Sequence, residues 1–210
     1  MSQPLLLLLT AMALAILEAA AIARFSSKAR STRVLPVAVA IATAVLTAWC
    51  VRVADLRFNL TPSMPLGIYR LMPIAKGAIG RGMLVEACAP NEAAELGRRR
   101  GYLGRGVCPT DAEPLLKQIV ACEGDEVVVS ATGVAVNGQI LPHSGLLSVD
   151  FDGRRLTLWR SATYRLRRGE VWLYADNVRS WDSRYWGPIS TTDVLAQALP
   201  ILTFRSARTK

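Results

Sequence analysis

With 210 residues, 51% of them hydrophobic, a net charge of +9 and 1 histidine, the chain is one ordinary domain plus an apolar surplus. The basic excess would suit nucleic acid, but the basic residues form no helical stripe. The charge is therefore read as a surface beside anionic lipid headgroups, with no nucleic-acid partner.

The apolar surplus is at the front. Residues 4–23 are apolar except for Thr10 and Glu18, long enough to cross a hydrocarbon core of ~30 Å. Residues 24–33 carry Arg24, Lys28, Arg30 and Arg33 and no acid, and residues 34–51 form a second apolar run whose polar members are Thr43 and Thr47. Short basic loops stay cytoplasmic. The prediction is two transmembrane helices, within 1–23 and 34–51, joined by a cytoplasmic loop at 24–33, with the N-terminus and residues 52–210 outside. A cleaved signal peptide needs its positive charge before the apolar run, and here the charge follows. Glu18 is expected near the cytoplasmic interface, protonated or snorkelling, with a contact to a partner helix as the alternative.

Residues 52–210 suffice for a single well-buried core. Within 59–70, Pro62, Pro65 and Gly67 exclude a regular helix and predict a shaped loop. Residues 83–87 read as a strand leading into a polar, Arg-rich excursion that Cys88 and Cys108 bracket, and sustained helical periodicity is confined to 91–100. Further strands are predicted at 115–121, 126–130, 133–141 (a hairpin turning at Asn137-Gly138), 156–159 and 170–175, and a last apolar segment at 194–203. The outer domain is thus mainly β, as packed antiparallel sheets or a distorted barrel.

Cys50, in the second apolar run, and Cys122, in an apolar strand, read as small buried hydrophobes. Cys88 and Cys108 face an oxidising compartment, and a disulfide between them is expected. Zinc would need more ligands than this stretch offers, since it holds no histidine.

The candidate chemistry is found by elimination. A Ser-His-Asp hydrolase would have to use His143, the one histidine, yet no G-x-S-x-G elbow accompanies it. His143, in a Pro-His-Ser-Gly context, reads as a surface loop residue. HExxH and CxxC are absent, so no metal or other cofactor is expected. Of 25 basic residues only Lys28, Lys76, Lys117 and Lys210 are lysine, and only Lys117 lies inside an apolar strand. Burial there would lower its pKa and make a general base available near neutral pH. Alternation could instead point the amine to water. Ser63, held between Pro62 and Met64-Pro65, has the fixed, exposed setting of a nucleophile, and equally that of a plain turn serine.

A resemblance decides between these readings. Thr61-Pro62-Ser63-Met64-Pro65 resembles the nucleophile box of type I signal peptidases, and Lys117 to Val127 resembles their lysine box. Ser180-Trp181-Asp182-Ser183-Arg184-Tyr185-Trp186-Gly187 is similar to their Ser-x-Asp-Ser-Arg-Tyr-x-Gly box. Ser-Met-Pro-Leu-Gly-Ile-Tyr after the nucleophile, and the Cys-bracketed insert before Pro114-Leu115-Leu116-Lys117, look most like the conjugative-transfer signal peptidases, the TraF family. Two departures from the housekeeping pattern stand out. Glu123 occupies the usual proline position, and Ala175-Asp176-Asn177 replaces Gly-Asp-Asn.

The resemblance implies a signal-peptidase-like antiparallel β-sheet catalytic domain behind the two spans, on the periplasmic side of a bacterial inner membrane. It implies Ser63 as nucleophile and Lys117 as general base. The Ser63 N–H and the Thr61 hydroxyl would bind the oxyanion, Ser180 would orient the lysine amine, and an Asp182–Arg184 ion pair would brace the box. The expected partners are a leader-peptide-bearing precursor, such as a conjugative pilin, the inner-membrane lipid, and conjugation or secretion machinery. Some members resolve the acyl-enzyme with an amine and cyclise the pilin. A housekeeping signal peptidase is the alternative enzyme, and an inactive membrane-anchored assembly factor is the non-enzymatic reading. A thiol oxidoreductase using Cys88 and Cys108 is disfavoured by their separation. Trp181, Tyr185 and Trp186 suit either the bilayer interface or core packing.

Overall fold

A computed structural model of the protein describes residues 34–53, 55–75, 77–130, 132–157, 159 and 162–204. The first expected span with Glu18, the basic loop at 24–33, and Lys28, Lys76 and Lys210 lie outside the described residues.

Helix α1 spans Val34–Val53 and belongs to a unit of its own. Pro36 sits in its first turn, where no intrahelical donor is lost. The Thr47 hydroxyl donates back to the Thr43 carbonyl at 2.8 Å, so this polar side chain is satisfied locally. Ile41, Val45, Leu46 and Trp49 are exposed. Among the described residues no helix is long and apolar enough to cross a membrane.

From Arg57 onward the chain forms a second unit, built on two antiparallel sheets. In chain order the elements are β1 (Leu56–Asn59), β2 (Leu66–Met72), β3 (Leu84–Ala87), α2 (Asn91–Arg99), β4 (Leu115–Ala121), β5 (Glu126–Ser130), β6 (Gly133–Val136), β7 (Gln139–Ile140), β8 (Ala162–Arg165), β9 (Glu170–Tyr174), α3 (Ser183–Trp186), β10 (Ile189–Ser190) and β11 (Val194–Phe204). The larger sheet has the order β1-β2-β11-β3-β4-β9-β10, and the smaller β7-β6-β5-β8. The expectation of packed antiparallel sheets holds.

Local chemistry accounts for most of these elements. In β5, Val127 and Val129 are buried while Glu126, Val128 and Ser130 are half-buried, the period of two that a one-sided strand shows. Asn137 and Gly138 take φ of 49° and 80°, the type I′ turn that matches strand twist. The core between the sheets gathers Val127, Val129, Val134 and Val136 against Trp172 and Tyr174 of β9.

Helix α2 follows Pro90, carries Glu92 in its first turn and Arg98 and Arg99 in its last, all favourable to the helix dipole. It stops where Gly101 at φ 75° lets the Gly101 and Tyr102 N–H groups bond the carbonyls of Arg98 and Gly97, a Schellman motif. The buried face, Ala93, Ala94 and Gly97, joins a small cluster that includes Cys88 and Cys108. Those two cysteines form the expected disulfide.

Three expectations are corrected. The stretch at 59–70 is a loop only to Pro65, because Leu66 opens β2, whose backbone pairs with β11. Residues 156, 157 and 159, read as a strand, lie in none. Leu156 N–H bonds the Ser148 carbonyl and Trp159 N–H the Arg184 carbonyl, so no neighbouring strand takes them up. Cys122 is half-buried just past β4 rather than inside it, since Asp125 captures its N–H and turns the chain.

Gly67 has φ 149°, and a Cβ there would lie 2.1 Å from the Leu202 carbonyl oxygen of β11. Gly67→Ala should therefore lower stability by ~2 kcal/mol or more, from strain and displaced pairing. Thermal unfolding of the purified protein measures it, and an unchanged melting temperature would contradict the close approach.

Candidate active site

The Ser63 loop is knotted from within. Asn59, the last residue of β1 and 4% exposed, donates from Nδ2 to the carbonyls of Thr61, Met64 and Pro65, each at 3.0 Å. The Thr61 hydroxyl donates to Asn59 Oδ1 at 2.9 Å, and the Tyr69 hydroxyl donates to the Pro65 carbonyl at 2.6 Å. Ser63 Oγ lies 3.3 Å from Thr61 Oγ1. Prolines that deny the loop its own ladder thus leave carbonyls that one buried amide collects.

Lys117 comes from the middle of the sheet. In β4 it stands opposite Val85 of β3 and is 2% exposed. Burial is the main cause that lowers its pKa, to about 8; Asp182 pulls upward, while Arg184 and Arg57 push further down. No hydrogen bond contributes to the shift.

Asp182 and Arg184, at the start of α3, are fully buried. Arg184 Nε and Nη2 each donate to a different Asp182 carboxylate oxygen at 2.8 Å. The same guanidinium reaches the carbonyls of Asn177 at 2.7 Å and His143 at 3.1 Å. The expected bracing ion pair is present.

Ser63, Lys117, Thr61 and Ser180 line one cleft of about 620 Å³, whose apolar wall includes Leu115, Val149, Phe151 and Leu156. Asp182 and Arg184 lie outside that lining. Ser180 Oγ is buried without a hydrogen-bond partner, so the expected bond to the Lys117 amine is not made. His143 is exposed in a loop, its Nδ1 2.6 Å from Asp176 Oδ1, and it does not line the cleft. Trp181 packs between Tyr102 and Tyr185, with ring centroids 5.3 Å away on each side. Trp186 packs against buried clusters.

Sequence reasoning passed over Asn59, Tyr102 and Asp150, and took Asn177 only as part of a motif. Asn177 Nδ2 donates to the carbonyl of Pro62 at 3.0 Å, which ties the Ser63 loop to the Ser180 segment. Asp150 accepts from the Tyr102 hydroxyl and, at 2.6 Å, from Arg154 Nε. That contact fastens the disulfide insert to the cleft wall. Neither contact leaves a local pattern, since each joins residues far apart in sequence.

Residues 28–202 match the family described as "Signal peptidase, peptidase S26". The chain belongs to that family. A plasmid transfer protein TraF of Escherichia coli is 36% identical over 165 residues, covering 77% of this chain and 90% of its own length. A probable conjugal transfer protein TraF of Sinorhizobium fredii is 37% identical over 149 residues, 70% of this chain and 77% of its own. A solved signal peptidase I of Enterococcus faecalis is 15% identical and covers 57% of this chain and 95% of its own, with a TM-score of 0.32, too loose to carry an argument.

The departure at Glu123 from the usual signal peptidase pattern has a simple account. Asp125 N–H bonds the Cys122 carbonyl and Gly124 has φ 83°, which makes Glu123 the second residue of a type II turn. Proline suits that position and so does an exposed glutamate. The turn is held by Asp125. Burial alone would raise this carboxyl, but hydrogen bonds from Asn137 and the Cys122 N–H, with Arg81, bring its pKa below the ordinary value.

The lysine sets two pH expectations. Catalysis that needs the neutral amine should show kcat/KM rising through an acid limb near pH 8, and a limb near 6.5 would point to a histidine instead. Because the folded-state pKa lies below the unfolded one, folding penalises the charged form. Stability should therefore rise between about pH 8 and 10.5 on this account. Lys117→Met should raise the melting temperature at pH 7 more than at pH 10; an equal effect at both would contradict the buried, lowered lysine.

Proposed function

We propose that the protein is a membrane-anchored serine endopeptidase that removes leader peptides from exported precursors, with Ser63 as nucleophile, Lys117 as general base and no cofactor. The observation that carries this reading is a lysine lowered to about 8 by burial, in the same cleft as a serine on a tied-down loop. Ser63 Oγ attacks the scissile carbonyl while its proton passes to Lys117 Nζ. The Ser63 N–H faces the developing oxyanion. Lys117 returns the proton to the departing amine, leaving an acyl-enzyme, and then activates the water that releases the new carboxylate. An amine in place of that water would join two chain ends instead.

The relatives named for plasmid and conjugal transfer favour a conjugative pilin precursor as substrate, and conjugation machinery as the setting. The apolar runs at 4–23 and 34–51 around a basic loop favour two spans that hold the cleft on the periplasmic face of an inner membrane.

Ser63→Ala and Lys117→Ala should each abolish cleavage of a candidate pilin precursor in membranes while the protein still accumulates. Lys117→Arg should be equally inactive, because a guanidinium keeps its proton. Full cleavage by Lys117→Arg would sink the lysine-base mechanism. A reporter active only outside the cytosol should work when fused after Lys210 and fail within 24–33, and the reverse would invert the topology.

A further inference from the structure

Three charged side chains line the cleft, and two of them are already spent. Lys117 is buried, with its pKa lowered. The Asp150 carboxylate, 6% exposed, accepts from the Tyr102 hydroxyl, from Arg154 Nε at 2.6 Å and from the N–H groups of Asp152 and Arg154. The third, Arg179, is exposed on the rim. Its guanidinium carbon sits 5.5 Å over the Phe151 ring. Among the described residues this guanidinium makes no ion pair and finds no hydrogen-bond acceptor.

The placement of this cation is fixed at both ends. The Arg179 N–H donates to Asn177 Oδ1 at 2.8 Å, and Asn177 Nδ2 donates to the Pro62 carbonyl at 3.0 Å. One asparagine thus ties the Arg179 backbone to the residue before Ser63. The Phe151 ring supports the far end of the side chain. Phe151 itself is 89% exposed, so core packing does not account for its position. A guanidinium resting on a ring keeps its N–H donors in its own plane, free for a planar carboxylate. The adjoining apolar wall of Leu115, Val149 and Leu156 thins the water near the charge and strengthens its pull.

From this geometry we infer that Arg179 is a specificity-determining residue that takes an aspartate or glutamate side chain of the precursor, close to the bond that Ser63 attacks. The inference rests on the proposed peptidase reading and adds a charge to its substrate. A precursor lying in the cleft passes Ser63 and Arg179 together, because both line the same space. No other exposed cation lines that space among the described residues, so the acidic residue should be selected at one position only.

The measurement is kcat/KM of the full chain in detergent on end-blocked peptides spanning a pilin-precursor cleavage site. Glutamate or glutamine is placed at each position in turn, with Ser63→Ala as control. At one position the wild type should prefer glutamate by about fivefold, the upper range for a partly exposed ion pair. Arg179→Ala should remove that preference, and Arg179→Glu should invert it and favour lysine there instead. Added salt should shrink the wild-type ratio. A ratio below about twofold at every position, or a preference that Arg179→Ala retains, would overturn the inference. If Arg179→Glu slows both peptides equally, and only in vesicles containing phosphatidylglycerol, Arg179 is a membrane contact and the inference falls. Cleavage that depends on Ser63 but shows no preference sinks this inference alone, whereas no cleavage by the wild type ends the peptidase reading as well.

Discussion

A lysine amine buried in the middle of an antiparallel sheet is the constraint on which the site depends. An ammonium resists the interior unless a carboxylate accompanies it. Here the nearby carboxylate, Asp182, is already taken at both oxygens by Arg184. Asp182 still pulls the Lys117 pKa upward, but Arg184 and Arg57 oppose it and burial outweighs it. An unpaired Asp182 would favour the charged form of the lysine more strongly. Arginine is suited to the pairing, since it fills both oxygens in one plane and never gives up its proton.

The sheet order explains how three distant segments meet. Ser63 follows β1, Lys117 is on β4, and Ser180 follows β9. The last strand, β11, lies between β2 and β3 and pairs with both. The register between the Ser63 end of the sheet and Lys117 is therefore fixed by β11. At Gly67 a Cβ would lie 2.1 Å from the Leu202 carbonyl oxygen of β11, so no side chain would fit there. The single Asn177 bond to Pro62 then closes the span between loop and box that the sheet leaves open.

What could be read from the sequence was what is local. Leu115–Ala121 and Glu126–Ser130 declare themselves as short apolar runs, and the Asn137-Gly138 hairpin by its turn chemistry. Strand β2 did not, because Pro65 and Gly67 signal a loop and its strand character comes from pairing with β11, more than a hundred residues on. Residues 156–159 have strand composition, yet the N–H groups of Leu156 and Trp159 go to the carbonyls of Ser148 and Arg184. In the site, residue type and setting made Ser63 and Lys117 candidates, and the resemblance of their boxes to those of signal peptidases decided for them. Asn59 and Asn177 did not, since an asparagine that collects backbone carbonyls looks in sequence like any turn residue.

The disulfide insert shows why one wall of the cleft needs a covalent closure. Its own core consists of Ala93, Ala94, Ala112 and Leu103 around the two cysteines, mostly small side chains that bury little area each. Such a lobe gains little from packing, and a bond closing a 20-residue separation supplies ~3 kcal/mol in the chain-entropy model. The lobe in turn presents Tyr102, which packs on Trp181 in the cleft wall and donates to Asp150 in the opposite loop. Asp150 also collects the N–H groups of Asp152 and Arg154 and so shapes the segment that carries Phe151. The apolar side of the cleft is thus tied, through one carboxylate, to a lobe that the disulfide closes. Lys117 needs no such help, since the sheet holds it directly. The Ser63–Lys117 half of the cleft rests on the main sheet and the apolar half on the insert, so the two can vary independently.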